Sequence, residues 1–174
     1  ARLTSLAAKL LIAMPGMADP RFHRSVICLC AHSPQGAMGL IVNKPADDLR
    51  FADLLDQLKV PRADMSRDIR VHYGGPVEQG RGFVLHSADY MSDHGTMRID
   101  EAMAMSATLD ILQQIARGHG PAQSMFAMGY AGWGPGQLDA ELADNAWLVA
   151  DPTPEILFDS ADTTKWARAL GSIG

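Results

Sequence analysis

The stretch SVICLCAHSPQGAMGLIV, residues 25–42, decides the fold class of this chain. Two short apolar runs, residues 25–31 and 38–42, flank the turn-forming segment Ser33-Pro34-Gln35-Gly36, a pattern typical of a β-hairpin. Both faces of each run are apolar, so we expect the two strands to be covered on both sides, at the centre of a sheet. A similar apolar run at residues 10–14 predicts a third strand.

The segment after this hairpin predicts a helix that packs on the sheet. Its apolar residues recur at i, i+3, i+4 and i+7, so they form one stripe along the helix. Asp47 or Asp48 can cap the start of this helix, and Pro61 ends it. The apolar stripe consists of Phe51, Leu54, Leu55 and Leu58.

Helices and strands alternate in the rest of the chain. The longest helix is predicted to begin at Asp100 and to end at Gly118 and Pro121, because four apolar residues keep the helical period. Those four are Met105, Leu109, Leu112 and Ala116. The other predicted elements are strands at 69–73, 82–86, 124–130 and 147–150, a short helix with Leu138 and Leu142, and a last helix closed by Gly171.

This order of elements predicts an α+β fold. Strands cluster before mixed strand and helix units, which favours a mixed, partly antiparallel sheet over a regular doubly wound one. The chain has no internal repeat and no long linker, so residues 1–174 are expected to form a single domain.

The composition is that of a soluble globular protein. The 174 residues are 47% hydrophobic and 20% charged, which is enough to bury one core. No apolar run approaches the roughly 20 residues of a membrane-spanning helix, so no membrane association is expected. Cys28 and Cys30 are too few for a disulfide scaffold and fit a reducing compartment, which predicts free thiols and a cytoplasmic location.

The charge is distributed unevenly along the chain. Residues 1–99 carry 12 Lys and Arg against 10 Asp and Glu, whereas residues 100–174 carry 3 against 10. Binding to a phosphate backbone depends on clustered cations, so this balance argues against direct nucleic-acid binding.

Cys28, Cys30 and His32 alternate along one predicted strand, and all three are side chains that can bind zinc. Alternate strand residues are about 6.6 Å apart, so the outer two would stand about 13 Å from each other. Zinc needs its donors within about 2.0–2.3 Å of one point. We therefore predict no metal site, and we expect the cysteines to be buried as small apolar residues.

Motifs of common catalytic and cofactor sites are missing. The glycine-rich segment 128–136 has neither the P-loop Lys-Ser/Thr pair nor the G-x-G-x-x-G spacing, so no cofactor is indicated. No serine lies in a G-x-S-x-G motif. His72 and His86 lie on two predicted strands, and the unknown register decides whether their side chains meet.

Several motifs resemble those of the YqgE/AlgH family and cover nearly the whole chain in order. They are Leu11-Ile12-Ala13-Met14-Pro15, Asp19-Pro20 with Phe22, Arg24 and Ser25, the run from Gly36 to Pro45, Gly74-Gly75-Pro76-Val77, Arg81-Gly82-Phe83-Val84-Leu85-His86-Ser87, Gly129-Tyr130-Ala131-Gly132-Trp133, Gly136-Gln137-Leu138, Asn145 and Trp147-Leu148.

This resemblance implies a bacterial cytoplasmic protein whose bifurcated, barrel-like sheet is surrounded by helices. The family has no assigned biochemical activity. Some members carry the label of a transcriptional regulator, but no helix-turn-helix pattern is present in this sequence.

Two hypotheses on function follow. The first is a non-catalytic regulatory or interaction protein with an unknown protein partner or a small ligand. The alternative is an enzyme that uses Arg24, Lys44 and His86 as anion clamp and acid or base, although no catalytic residue is identified. Polar and glycine-rich strand ends define the candidate ligand-binding residues, which either share one site or form structural turns: Arg24, Asn43, Lys44, Gly74, Gly75, His86 and Trp133.

Overall fold

A computed structural model describes residues 6–17, 19–46, 48–61, 69–92, 95–158 and 162–173. Within these residues, nine strands, numbered β1 to β9 in chain order, form one sheet: Leu10–Ala13, Val26–Ser33, Gly36–Ile41, Val71–Tyr73, Val77–Ser87, Thr96–Arg98, Met103–Ser106, Ser124–Trp133 and Trp147–Ala150. The helices, numbered α1 to α5, are Phe51–Gln57, Leu109–Ala116, Gln137–Ala143, Pro154–Phe158 and Asp162–Gly171.

The sheet is a curled half-barrel that divides at β8. Its strand order is β6-β7-β5-β8-β3-β2-β1-β9, with β4 beside β8 and outside this path. One edge of β8 pairs with β5, while the other pairs first with β4 and then with β3. The β4–β8 pair is parallel and the other strand pairs are antiparallel. The predicted α+β class and the mixed, bifurcated sheet are therefore confirmed.

The division of the sheet depends on close contact between backbones. A Cβ atom on Gly74 would lie 2.3 Å from the carbonyl oxygen of Gly129, and one on Gly75 would lie 2.1 Å from the carbonyl carbon of Tyr130. Gly129 itself has a φ of +77°, a conformation that other residues rarely adopt. Glycine is therefore required where β4 turns away from β8.

The concave face of the half-barrel carries the largest core cluster. Helices α4 and α5 cover this face at the end where β1 and β3 finish. Two hydrogen bonds fix α5 there: the Lys165 ammonium donates to the carbonyl oxygen of Val42 at 2.9 Å, and the Trp166 indole N–H donates to that of Ala13 at 2.8 Å. The β2–β3 turn lies at the opposite end, so the half-barrel is covered at one end and open at the other.

The convex face carries two separate core clusters. Helices α1 and α2 pack over the part formed by β4, β5 and β8. Helix α3 packs over the part formed by β1, β2 and β3. The central strands are therefore covered on both sides, as their apolar faces predict, and residues 26–30 are at most 3% exposed.

Several predicted element boundaries differ from the structure, and the largest error concerns the start of the long helix. Residues 103–106 form β7 rather than the start of the long helix, because they pair with both β5 and β6. The carboxylate of Asp100 accepts hydrogen bonds from the backbone N–H groups of Ala102 and Met103, which fixes the turn before β7. The good helix propensity of Met and Ala is overridden by this pairing.

Two further differences concern a helix cap and a helix that was not predicted. Arg50, not an aspartate, is the N-cap of α1, and Asp48 lies two residues earlier. Asp47 lies outside the described residues. The last predicted helix is preceded by a further short one, α4. No helix among the described ranges is long and apolar enough to cross a membrane.

Candidate functional site

The candidate site is a cavity of about 320 Å³ between α1, α2 and the convex face of the sheet. Helix α1 contributes Leu54 and Gln57, and α2 contributes Leu109 and Leu112. The sheet side is formed by Gly80, Arg81, Gly82, Val84, Phe126 and Met128. Enclosed cavities with apolar walls and a few polar groups are the usual form of small-ligand sites.

The two helices that line this cavity end in the same way. After α1, the N–H of Val60 donates to the carbonyl oxygen of Leu55 at 2.8 Å, across Lys59 with a left-handed φ of 57°. After α2, Gly118 takes the left-handed position. Both are Schellman-type ends, which satisfy the last carbonyl groups of a helix. The predicted stop of the long helix at Gly118 is therefore confirmed.

The polar end of the cavity is formed by the segment that joins β7 to α2. Ser106 and Thr108 both line the cavity. The hydroxyl oxygen of Thr108 is buried and has no hydrogen-bond partner among the described residues. An unpartnered buried hydroxyl costs about 1–3 kcal/mol, which marks this end of the cavity as a place with unused hydrogen-bonding capacity.

His86 lies directly behind this polar end. Its Nε2 is 2.8 Å from the Ser106 hydroxyl, and its Nδ1 is 2.8 Å from the carbonyl oxygen of Ser87. Because a carbonyl oxygen only accepts, Nδ1 carries the proton and Nε2 accepts the hydrogen bond from Ser106. The Ser106 hydroxyl oxygen also lies 2.8 Å from that of Thr96.

Burial lowers the pKa of His86, although the nearby Ser87 carbonyl and Asp89 act in the opposite direction. The ring is therefore neutral at pH 7. A serine next to a neutral histidine resembles a nucleophile with its base. Here, however, Ser106 is 1% exposed, His86 is 0% exposed, and both ring nitrogens are hydrogen-bonded, so the pair is closed to a substrate.

Three other sequence candidates lie far from this cavity, near the start of β2. The side chain of Asn43 accepts a hydrogen bond from the Val26 N–H at 2.9 Å and donates to the Arg24 carbonyl oxygen at 2.8 Å. Arg24 has a left-handed φ of 53°, and its guanidinium lies 5.1 Å from the ring centre of Trp166. Asn43 thus holds the strained backbone in place.

Lys44 follows Asn43 on the same surface. Its ammonium donates to the carbonyl oxygen of Arg21 at 3.2 Å, and its own carbonyl oxygen accepts from the Tyr73 N–H at 2.8 Å. Partial burial lowers the pKa of Lys44, while Asp19 acts in the opposite direction. The Lys44 side chain is therefore folded against the protein.

The structure brings together only part of the candidate set. Gly74 lies beside Lys44, because the Gly74 carbonyl oxygen accepts from the Ile41 N–H at 3.0 Å. His86 pairs with Ser124 of β8, whereas Tyr73 pairs with Met128 on the other edge, about 13 Å further along that strand. The structure therefore does not place His86 with Arg24 and Lys44.

The Trp133 side chain is buried and packs as part of the core. It is 7% exposed, its indole N–H donates to Glu141 at 3.0 Å, and its ring lies 6.0 Å from that of Trp147. The ring packs under α3, so it offers no open stacking face.

His72 and His86 do not meet, because their strands lie on opposite edges of β8. His72 instead belongs to a buried ionic network that the sequence reasoning missed. Its Nε2 lies 3.1 Å from Asp162, which is also 2.9 Å from the Lys165 ammonium and 2.5 Å from the Arg70 guanidinium. The only feature of the sequence that points to this network is the i, i+3 spacing of Asp162 and Lys165 on the last helix.

The strand that carries the cysteines also differs from the regular geometry assumed above. Its register with β3 shifts between Leu29 and Ala31. Cys28 and Cys30 are buried on the concave face, as predicted, but His32 lies by Asp139 of α3 at 3.5 Å. The bulge therefore turns His32 away from the two thiols.

The comparisons with known proteins agree with this architecture. The model of the AlgH-like family matches residues 10–174. The chain belongs to the AlgH-like family. A UPF0301 protein of Cereibacter sphaeroides is 57% identical over 169 residues, which cover 97% of this chain and 92% of that protein. A UPF0301 protein of Paracoccus denitrificans is 54% identical over 173 residues, covering 98% and 91%.

Two solved structures match this AlgH-like chain. The solution structure of the AlgH protein from Pseudomonas aeruginosa is 44% identical, has a TM-score of 0.84, and is matched over 100% of this chain and 92% of that one. An X-ray crystal structure of a Corynebacterium diphtheriae protein is 21% identical with a TM-score of 0.74, covering 97% and 87%. The second match shows the fold alone. The resemblance to the YqgE/AlgH family is thus confirmed.

Proposed function

We propose that this protein is a non-catalytic regulatory protein of the cytoplasm that binds a small amphipathic ligand in the cavity between α1 and α2. The observation that carries the proposal is the partly open, mostly apolar cavity, with Thr108 and its buried, unpartnered hydroxyl at one end. A ligand with an apolar body and one hydrogen-bonding head matches this distribution of groups.

The volume of the cavity and the residues at its mouth indicate a ligand site rather than a gap in the packing. Its 320 Å³ lies near the lower end of the usual range for ligand sites, roughly 300–1,000 Å³. Leu58 and Leu109 flank it with exposures of 42% and 44%. Exposed leucines beside an apolar cavity would be covered by a bound ligand.

The hydrogen bonding of the polar side chains at the cavity supports a regulatory role rather than a catalytic one. The cavity offers no free pair of nucleophile and base among its described lining residues, because His86 and Ser106 are saturated by their mutual and neighbouring hydrogen bonds. Ligand binding would then be read by a protein partner through α1 or α2, which carry the walls of the cavity.

Binding of 1-octanol tests this proposal, because that probe has one hydroxyl and an apolar chain of suitable size. We expect chemical-shift changes at α1 and α2 with a dissociation constant below about 1 mM. Thr108→Val should weaken binding about tenfold, since it removes one buried hydrogen bond. Leu109→Trp should abolish binding by filling the mouth of the cavity.

Ile173→Trp is the matched control, since Ile173 is an aliphatic residue of similar exposure, 45%, away from the cavity. This control should bind octanol like the unsubstituted protein. Equal binding by Leu109→Trp and Ile173→Trp would place the alcohol elsewhere and contradict the proposal, as would the absence of binding at millimolar octanol.

Regulation is proposed to act through a ligand or a protein partner, not through direct contact with DNA. The support is the excess of acidic residues in the last 75 residues of the chain. We expect no specific binding to duplex DNA tighter than about 10 μM near physiological salt. A mobility shift at submicromolar protein in the presence of competitor DNA would contradict this expectation.

A further inference from the structure

A second, shallow cleft, of about 630 Å³, lies beside the end of the sheet where β2 turns into β3. It is on the side opposite α5 and next to the β2–β3 turn. Its walls come from three parts of the sheet: the hairpin with Ser33 and Gln35, the middle of β5 with Arg81, and the end of β8 with Tyr130. The mouth of a β-barrel is a frequent place for ligands.

Planar groups form one wall of this cleft. The rings of Phe83 and Tyr130 are in edge contact, with centres 5.8 Å apart and planes at 82°. The Arg81 guanidinium lies 5.0 Å from the ring centre of Phe83. Phe83 is 3% exposed and therefore holds both neighbours in place, whereas the side chain of Arg81 is 56% exposed.

The backbone of β5 bends to place Arg81 in this position. The register between β5 and β8 shifts between Val77 and Gly82, and Glu78 has a left-handed φ of 47°. Strained residues of this kind cluster at ligand sites. The Glu78 carboxylate forms an ion pair with Arg81 at 3.7 Å, a distance too long for a hydrogen bond, so a phosphate at this place competes with Glu78 for the guanidinium.

Gly132 leaves open space beside the Tyr130 ring. A Cβ atom at this position would make only ordinary contacts, the nearest at 3.4 Å from the Tyr130 ring. The rim adds neutral hydrogen-bonding groups, a hydroxyl from Ser33 and a carboxamide from Gln35. The cleft therefore combines stacking surfaces, one cation and polar rim groups around an empty floor.

We propose that this cleft is a binding site for a mononucleotide. The base stacks on the planar groups of Tyr130 and Arg81, since aromatic and guanidinium planes both bind bases in this way. The phosphate pairs with the donors of Arg81, and the rim groups of Ser33 and Gln35 bond to the sugar or the base edge. This cleft shares Arg81 with the cavity between α1 and α2, but its other walls come from different residues and its ligand is of a different class.

Titration with adenosine 5′-monophosphate, followed by backbone amide chemical shifts, tests the proposal. We expect shifts at residues 33–38 and 130–133, with adenosine and inorganic phosphate each binding at least about tenfold more weakly. Arg81→Gln should weaken binding of the nucleotide about tenfold and adenosine much less. Arg98→Gln, at an exposed arginine outside the cleft, is the matched control.

Gly132→Leu gives an independent test, because it fills the cleft without a backbone clash. This variant should keep its melting temperature and lose nucleotide binding. Unchanged binding in Gly132→Leu, equal affinity for inorganic phosphate, or no shifts at millimolar nucleotide would each overturn the proposal. Octanol binding in the other cavity should stay unchanged in Gly132→Leu, because Gly132 does not line that cavity, so the two proposals can fail separately.

Discussion

Replacing Asp162 by alanine should lower the free energy of unfolding by about 3–5 kcal/mol. Asp162 is 3% exposed and forms the centre of the network with His72, Lys165 and Arg70. The alanine variant removes the carboxylate that lies within ion-pair distance of the buried Lys165 ammonium and of the partly exposed Arg70 guanidinium. Urea denaturation of Asp162→Ala against the unsubstituted protein measures the loss.

The environment of Lys165 explains the size of this effect. Its ammonium is 0% exposed and donates to Asp162 and to the carbonyl oxygens of Val42 and Leu157 at 2.9 and 3.3 Å. The carbonyl groups satisfy hydrogen bonds but do not neutralise the charge. Burying an ammonium without a counter-charge costs several kcal/mol.

Asp151→Ala is the matched control, because Asp151 is paired with Lys9 but has a side chain that is 82% exposed. An exposed ion pair contributes only about 0–1 kcal/mol. If the two alanine variants differ by less than about 1 kcal/mol, the network around Asp162 is not a major source of stability.

The same network predicts how stability depends on pH. Burial by itself raises the pKa of Asp162, but hydrogen bonds from His72 and Lys165 outweigh it, and the pKa of Asp162 in the folded protein lies below its ordinary value. A carboxyl group whose pKa is lower in the folded than in the unfolded protein stabilises the fold at pH values above its unfolded pKa, which is about 4. This stabilisation is lost as the pH falls through the folded pKa. The stability difference between Asp162→Ala and the unsubstituted protein should therefore shrink on acidification below about pH 4.

Replacing Gly75 by alanine should lower the free energy of unfolding by about 3 kcal/mol, through the backbone rather than through charge. The new Cβ atom would lie 2.1–2.4 Å from three backbone atoms of Tyr130 and Ala131, and the residue has a φ of +153°. No side-chain rotation relieves a clash with backbone, so β8 or the segment after β4 must move. Thermal unfolding by circular dichroism gives the measurement.

Gly16→Ala is the control for Gly75→Ala. A Cβ atom on Gly16 would meet nothing within 4 Å, so this substitution should change stability by less than about 0.5 kcal/mol. A Gly75→Ala variant as stable as Gly16→Ala would mean that the division of the sheet tolerates a wider separation of its backbones.

Part of the fold could be predicted from the sequence because its signals are local. The hairpin of β2 and β3, the stripe of α1 and the stop of α2 at Gly118 all depend on residues a few positions apart. Residues 103–106 show the limit of this reasoning. Their composition favours a helix, and only the neighbouring strands β5 and β6 make them a strand.

The candidate residues show the same division. The sequence predicts a shared position at strand ends or turns for Asn43, Lys44 and Gly74. In the structure these three residues lie close together. His86 was grouped with Arg24 and Lys44 on residue type, and β8 separates it from them. No feature of the sequence distinguishes Thr108 from other threonines. What sets it apart is that its hydroxyl is buried without a hydrogen-bond partner among the described residues, and this depends on the fold.

The sequence by itself determined the family, the α+β class, the central hairpin and the glycines at the division of the sheet. Each of these depends on the residue types within a short run of the chain. The tertiary structure alone decided the cavity at Thr108, the cleft at Arg81 and the network in which Asp162 meets His72, 90 residues away in the chain. Periodicity and turn chemistry act over a few residues. Burial, ion pairing and cavity shape depend on which distant segments pack together, and the strand order of the half-barrel sets that packing.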